Sequence, residues 1–135
     1  MKDFIPEIQQ VKDVTEVSAM NPIVLAFVGD AVHTLFTRTE LVFFSDAKAG
    51  ELHKLCSDKV KAASQARAAD VLMETFTEDE AEIFRRARNA KNNTVPKNAD
   101  RTDYRKATGF EAVLGYLYLT GRHDRIRIIM EKAGL

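Results

Sequence analysis

The stretch NPIVLAFVGDAVHTLF, residues 21–36, has the apolar composition and the spacing of a helix that faces a protein core. Asn21 is a candidate N-cap, and Pro22 suits the first helical position. One carboxylate, Asp30, lies in the middle of this apolar run. Because a charge is costly to bury without a partner, the position of Asp30 requires a compensating group or a solvent-facing edge.

Helical spacing continues through the rest of the chain, and few residues alternate as they would in strands. We predict five main helices after a candidate helical turn near residues 7–16, at about 22–43, 47–74, 77–90, 101–119 and 122–133. The second helix is either continuous or divided near Ser57. The third begins with TEDE from Thr77 to Glu80, the pattern of a capping box. The sequence therefore predicts an all-α bundle of about five to seven helices, forming one domain over residues 1–135.

The composition excludes several classes of protein. With 135 residues and 45% hydrophobic residues, the chain has enough apolar surface to form one core. No uncharged apolar run is long enough to span a membrane. The first ten residues, MKDFIPEIQQ, lack the apolar segment of a secretory signal, and Cys56 is the only cysteine, which excludes an intramolecular disulfide. We therefore expect a soluble cytoplasmic protein.

The charge is unevenly distributed, although the formal net charge is zero. Residues 1–84 hold 8 Lys and Arg against 15 Asp and Glu, whereas residues 85–106 hold 8 against 2. We call residues 85–106 the basic segment. It includes KNNTVPKNAD, residues 91–100, which has the composition of a loop. A local surplus of positive charge attracts polyanions, although many such charge runs are only solvated surface.

A second carboxylate repeats the feature seen at Asp30. In ATGFEAVLGYLYLTG, residues 107–121, Glu111 interrupts an apolar helix, and its neighbours at helical spacing include the small residues Ala107, Thr108 and Gly115. Two carboxylates on faces suited to close packing would repel, and one would take up a proton. A divalent cation such as Mg²⁺ would remove that conflict. The alternative, in which each acid faces solvent or pairs with an arginine, is the commoner arrangement when spacing alone is considered.

Longer stretches carry a resemblance to a known family. LAFVGDAV resembles the signature helix of the ribonuclease III family, and FEAVLGYLYL resembles the second metal-binding helix of that family. RRARNAKNNTVPKNADRTDYRKATGFEA is similar to Mini-III, the short bacterial subfamily without a separate domain for binding double-stranded RNA. The resemblance covers about residues 20–130 and implies a ribonuclease III-like endonuclease domain.

This resemblance implies the site residues. Asp30 matches the catalytic, metal-binding aspartate of the family, and Glu111 matches its metal-binding glutamate. The implied cofactor is Mg²⁺, with Mn²⁺ as a candidate substitute. The ribonuclease III family has two further acids, at positions held here by Ala26 and Thr108. This reduced set is similar to that of Mini-III and argues against a mechanism that needs two fully held metal ions.

The resemblance also implies cleavage of double-stranded RNA to give 5′-phosphate and 3′-hydroxyl ends. The implied enzyme is a homodimer that matures precursor 23S ribosomal RNA, with a ribosomal protein as a candidate helper. Apolar residues near Asp30 are then candidates for the core or for the dimer interface. They are Phe27, Val28, Val32 and Phe36. Two alternatives stay open: a non-catalytic RNA-binding or ribosome-assembly module of the same fold, and a helical dimerisation domain with structural acids.

The basic segment is the expected RNA contact. Proteins recognise A-form RNA through its phosphates and 2′-hydroxyls, and such binding weakens with salt. The predicted contact residues are Arg85, Arg86, Arg88, Asn89, Lys91, Lys97, Asn98, Arg101 and Arg105, with Asn92 and Lys106 as further candidates. His33, one turn from Asp30, is either a ligand or base or a packing residue, and packing is the favoured interpretation. His53 has no chemical role that the sequence identifies.

Overall fold

The computed structural model describes residues 13–91 and 95–134. Within these ranges the chain forms seven α-helices and no strand, which confirms the predicted all-α class. No helix of the described part is long and apolar enough to cross a membrane. The helices are α1 (Val14–Ser18), α2 (Pro22–Phe44), α3 (Ala49–Val60), α4 (Ala62–Leu72), α5 (Glu78–Arg88), α6 (Arg101–Leu119) and α7 (His123–Ala133). The candidate helical turn near residues 7–16 overlaps α1 at residues 14–16. Residues 7–12 of that prediction lie outside the described part.

Three of the long helices begin at side chains that cap their free amide groups. The Asn21 side chain accepts a hydrogen bond from the Ile23 amide at 2.9 Å at the start of α2. Thr77 and Glu80 form the predicted reciprocal capping box at the start of α5. The Asp100 carboxylate accepts from the Asp103 amide at 2.9 Å and caps α6 in the same way. These starts agree with the sequence prediction to within a residue or two, because caps are local signals.

The predicted helix at 47–74 is divided, and the division is an elbow at Lys61. This residue has an extended backbone (φ −67°, ψ 155°) between α3 and α4. Two side chains of α4 then bond back to the end of α3: Ser64 Oγ donates to the carbonyl of Asp58, and Gln65 Nε2 donates to the carbonyl of Val60, each at 2.6 Å. The division therefore lies at the elbow, not at the earlier serine that the sequence suggested.

Helix α6 is the centre of the bundle. It packs against α2, α4, α5 and α7, and most of its residues from Ala107 to Leu117 are buried. Phe110 and Tyr116 are its largest fully buried side chains. A buried ion pair between Glu80 and Arg125, with N–O distances of 2.7 and 2.8 Å, joins the start of α5 to α7. The chain thus surrounds the helix that carries Glu111 and leaves few of its side chains accessible.

Candidate metal centre and nucleic-acid interface

Helices α2 and α6 meet with their backbones in direct contact. A Cβ atom added to Gly29 would lie 1.6 Å from the carbonyl oxygen of Glu111, and one added to Gly115 would lie 1.9 Å from that of Leu25. Neither position has room for any side chain. Because Asp30 follows Gly29 in the chain and Glu111 is itself at the contact, this crossing brings the two carboxylates together. The small residues around Glu111 therefore allow the close helix contact that their spacing predicted.

The two carboxyl groups are hydrogen-bonded to each other. Burial, this hydrogen bond and the negative charge of Asp30 together raise the pKa of Glu111 to about 8, while a hydrogen bond from Gln65 acts in the opposite direction. Glu111 is partly buried, whereas Asp30 is exposed. At pH 7 the Glu111 carboxyl group is therefore protonated in most molecules and hydrogen-bonded to Asp30. Asp30 is thus stabilised both by solvent and by this hydrogen bond, so its charge is not buried in the apolar helix.

A cavity of about 170 Å³ opens beside Glu111, between the elbow and α6. Its lining residues are Val60, Ala62, Gln65, Tyr104, Ala107, Thr108 and Glu111. The hydroxyl of Thr108 donates to the carbonyl of Tyr104 at 3.0 Å, and Ala26 is buried in the core. Neither position at which the ribonuclease III family has a further acid thus offers a carboxylate. Gln65 was not identified from the sequence, because its position depends on the elbow.

The donors at the crossing suit a hard divalent cation. No group of three or more His, Cys, Asp or Glu side chains that could hold a metal occurs in residues 13–91 and 95–134. The carboxylates of Asp30 and Glu111 supply oxygen atoms, and the Gln65 amide lies beside Glu111. Mg²⁺ and Mn²⁺ prefer oxygen ligands, and Mg²⁺ commonly binds to one or two carboxylates while it keeps several waters. The residues therefore fit a cation that is bound by two carboxylates and remains partly hydrated.

His33 is a packing residue in this structure. It is fully buried, and its ring meets that of Phe110 edge-on at 5.3 Å. Burial lowers the pKa of His33 to about 4; the charge of Asp30 opposes this and that of Lys59 adds to it. Both ring nitrogens are buried with no hydrogen-bond partner among the described residues. His33 is therefore neutral at pH 7, which agrees with the interpretation that the sequence favoured.

Part of the basic segment is engaged within the fold. Arg86 donates to the carbonyls of Ser18 at 2.5 Å and Met20 at 3.3 Å, so that it ties α5 to the end of α1. Arg85 forms an exposed ion pair with Glu82 at 2.6 Å. Contact with RNA stays a prediction for both arginines, and Arg86 has a structural role besides.

The end of α5 is also internally bonded. The Arg88 guanidinium lies over the ring of Phe84, 5.7 Å from its centroid, and its Nε donates to Asn89 Oδ1 at 3.2 Å. Arg105 donates to the carbonyl of Arg88 at 3.4 Å. These contacts hold α5 and α6 together on either side of the loop. RNA contact by Arg88, Asn89 and Arg105 likewise stays a prediction.

The remaining predicted contacts face solvent. Lys91, Lys97, Asn98 and Arg101 are exposed and make no ion pair within the described part of the chain, whereas Asn92 lies outside it. Lys106 pairs with Asp70 at 2.8 Å. Arg101 begins α6 ten residues before Glu111, about 15 Å away along the axis and roughly 80° around it. Unpaired positive charge thus lies on the first turn of the helix that carries Glu111.

An exposed apolar stripe runs along α2 beside Asp30. Phe27 is 80% exposed, and Val24 and Leu35 are also exposed, at 45% and 36%. An open depression of about 460 Å³ adjoins them, lined by Phe27, Val28, Asp30, Ala31, Val32, Leu35 and Tyr118. Val32 and Phe36 are core residues, at 5% and 4% exposure. The structure therefore separates the two roles that the sequence left open, since Phe27 is free for an interface and Val32 and Phe36 are not.

Comparison with known proteins gives a consistent result. The family model described as the Ribonuclease III domain matches residues 23–122. A protein named Mini-ribonuclease 3 from Thermoanaerobacter sp. (strain X514) is 45% identical over 115 residues, covering 85% of this chain and 81% of that protein. The protein of the same name from Staphylococcus aureus (strain NCTC 8325 / PS 47) is 41% identical over 118 residues, covering 86% and 88%.

A solved structure agrees with these relatives. The crystal structure of a protein from Fusobacterium nucleatum matches with a TM-score of 0.75 and 28% identity, and the match covers 84% of this chain and 90% of that one. The family model covers well over half of the chain, and relatives above 30% identity cover most of it. The chain belongs to the ribonuclease III family and, within it, to the Mini-ribonuclease 3 group.

Proposed function

We propose that this protein is a Mg²⁺-dependent endoribonuclease that cleaves double-stranded RNA, with Mn²⁺ able to replace Mg²⁺. Membership of the family makes the chain a ribonuclease. The observation that carries the finer proposal is the pairing of Asp30 and Glu111 at the glycine contact between α2 and α6. Two hydrogen-bonded acids, of which Glu111 lines a cavity, are the arrangement that a divalent cation would convert into a charged site.

Asp30 and Glu111 would hold the cation through their carboxylate oxygens. When bound, Mg²⁺ supplies a water of lowered pKa and a positive charge beside the scissile phosphate. Glu111 must first release its proton, because a carboxyl group binds metal as the anion. Asp30, which is exposed, lies on the side from which a phosphate can approach. Hydrolysis there adds the oxygen of water to phosphorus and breaks its bond to the 3′ oxygen, which leaves 5′-phosphate and 3′-hydroxyl ends.

The basic segment supports binding to an RNA duplex. Lys91, Lys97 and Arg101 are exposed and lack acidic partners in the described ranges. Lys and Arg at such positions neutralise phosphates, and Asn98 can bond to 2′-hydroxyl groups. Because Arg101 lies on the first turn of the helix that carries Glu111, a duplex bound along α6 would contact Arg101 and present a phosphate to the carboxylates.

The stripe on α2 supports a homodimer. An apolar stripe that includes a phenylalanine 80% exposed beside an open apolar depression is typical of an interaction surface, and a two-fold axis would place Phe27 of each copy against the same surface of the other. Asp30 lines this depression, so the interface would lie next to the carboxylates. Each of the two sites would then cut one strand of the duplex.

We further propose precursor 23S ribosomal RNA as the natural target, in the cytoplasm and with a ribosomal protein as helper. The support is the similarity of the basic segment to Mini-III, together with the relatives named Mini-ribonuclease 3. The amino-acid sequence does not indicate a cleavage site in that RNA.

A cleavage assay tests the catalytic proposal. The purified protein is incubated with a long RNA duplex in Mg²⁺ or in EDTA, and 5′-phosphate ends are measured. We expect cleavage only with Mg²⁺, and we expect Asp30→Asn to abolish it while Asp46→Asn, which changes another exposed acid, leaves the rate unchanged. Binding without cleavage would instead indicate an RNA-binding or ribosome-assembly module, and cleavage by Asp30→Asn at the normal rate would contradict the site.

A further inference from the structure

Gln65 is buried at the point where the elbow meets the carboxylates. Its side chain is 3% exposed, and its Nε2 donates to the carbonyl of Val60 at 2.6 Å. The same nitrogen lies 3.5 Å from Glu111 Oε2, at the outer limit of a hydrogen bond. Because the Val60 carbonyl and the Glu111 oxygen both accept, the amide must present its NH₂ group to them. The orientation of the Gln65 amide is therefore fixed.

This orientation leaves Gln65 Oε1 without a partner. The oxygen is buried and accepts no hydrogen bond from any described residue. A buried acceptor left unbonded is destabilising. Gln65 and Glu111 line the same cavity of about 170 Å³, and a water occupies about 30 Å³ in the liquid. The cavity can therefore hold hydrated groups within reach of both side chains.

The chemistry of the other lining residues makes Gln65 distinctive. Thr108 directs its hydroxyl to a carbonyl of its own helix. Gln65 contacts Glu111 with its donor and has an acceptor still unused. A water bound to a divalent cation is a strong donor, and an amide oxygen is a good acceptor for it. Groups that orient metal ligands in this way commonly change metal affinity 10- to 100-fold when they are removed.

We propose that Gln65 is a positioning residue of the cation site, whose Nε2 restrains Glu111 and whose Oε1 accepts a hydrogen bond from a cation-bound water. The inference rests on the proposed function, since it requires that Asp30 and Glu111 hold a cation. It adds a neutral hydrogen-bond acceptor to a site that has only two of the family's acids.

Mn²⁺ binding, measured by electron paramagnetic resonance without RNA, tests this proposal. Gln65→Met keeps the length of the side chain and removes both polar atoms, and we expect it to raise the Kd for Mn²⁺ about tenfold. Ser64→Ala is the matched control, because it removes the other bond that closes the elbow without touching Glu111. We expect it to change the Kd less than twofold. A Kd for Gln65→Met within twofold of wild type would overturn the proposal.

Gln65→Glu separates the metal role from a purely structural one. It loses the donor to Val60 but keeps an oxygen facing the cavity, and so we expect its Kd for Mn²⁺ to equal or fall below that of wild type. Mn²⁺ binding as weak as that of Gln65→Met would show that the amide only closes the elbow. Asp30→Asn distinguishes a failure of the proposed function from a failure of this inference. Normal Mn²⁺ binding by Asp30→Asn would contradict the proposed function itself. Weakened Mn²⁺ binding by Asp30→Asn together with normal binding by Gln65→Met would contradict this inference alone.

Discussion

The raised pKa of Glu111 is partly a consequence of its close approach to Asp30. An isolated glutamate is ionised at pH 7, but burial and Asp30 raise the pKa of Glu111 to about 8. The protonated form is favoured only in the folded state, where the carboxyl group is enclosed and faces Asp30. The interaction therefore stabilises the fold at low pH, and its contribution is lost as the pH rises through 8.

Glu111→Gln should remove this dependence on pH. Between pH 6.5 and 8.5 in EDTA, we expect wild type to lose about 1–2 kcal/mol of unfolding free energy from Glu111, discounted for a partly hydrated group, whereas the variant stays flat. The range starts at pH 6.5 because His33, whose pKa is lowered, changes stability in the opposite direction at lower pH.

Urea titrations at several pH values measure this difference. Glu74→Gln, which changes an exposed acid, serves as the control and should keep the wild-type slope. If Glu111→Gln also keeps that slope, Glu111 does not hold the proton.

At the scale of residues, the sequence predicted part of the site. The interrupted apolar helices indicated Asp30 and Glu111, because a charge in such a helix needs a partner. Gln65 could not be predicted, because its amide reaches Glu111 only through the turn of the chain at Lys61. The structural role of Arg86 was also hidden, since its partners lie 66 and 68 residues away in the chain.

At the scale of helices, the contact between α2 and α6 depends on two glycines. A methyl group at Gly115 would overlap the carbonyl oxygen of Leu25, which belongs to the backbone and cannot rotate away. The helices would have to separate, and the carboxylates would separate with them.

Gly115→Ala should therefore be strongly destabilising, by about 2–4 kcal/mol. Gly50→Ala is the matched control in α3, where an added Cβ meets nothing within 4 Å, and should be neutral or stabilising by up to about 1 kcal/mol. Urea denaturation of both variants measures the contrast. Equal stability of the two would contradict the close contact.

The helix boundaries were largely predictable because they depend on neighbouring residues. The cap at Asn21 and the box from Thr77 to Glu80 occur where the sequence places them. The position of the elbow was not predictable, since Lys61 precedes α4 without a capping side-chain hydrogen bond and the elbow is held by bonds from Ser64 and Gln65 back to α3.

At the scale of the molecule, the surface has one region of exposed cations and one apolar region. The exposed cations follow the loop and the start of α6, and the apolar stripe follows α2. The carboxylates lie where these two helices cross. We therefore expect that mutations can affect the proposed RNA binding and the proposed self-association separately.

The double variant Lys97→Ala, Arg101→Ala should weaken binding to duplex RNA, measured in EDTA. We expect a several-fold higher Kd and a salt slope lower by about one for each lost phosphate contact. Arg127→Ala on α7 should leave both unchanged, and Arg86→Ala should mainly lower stability, because it breaks bonds to two carbonyls. An unaltered Kd and slope for the double variant would remove the loop from the RNA interface.

Phe27→Asp should convert a dimer into a monomer in sedimentation equilibrium, because it places a charge in the proposed interface. Phe44→Asp is a stringent control, since Phe44 is 81% exposed but lies at the far end of α2. We expect it to leave the dimer intact. A monomeric wild type, or dissociation by Phe44→Asp alone, would contradict the proposed dimer surface.

The central claim is that Asp30 and Glu111 bind one cation between them. Anomalous scattering from crystals grown with Mn²⁺ above pH 8 measures this directly. We predict one strong peak at about 2.1–2.2 Å from a carboxylate oxygen of each residue. A peak bound to neither residue, or no peak in crystals of a protein that cleaves RNA with Mn²⁺, would contradict the account.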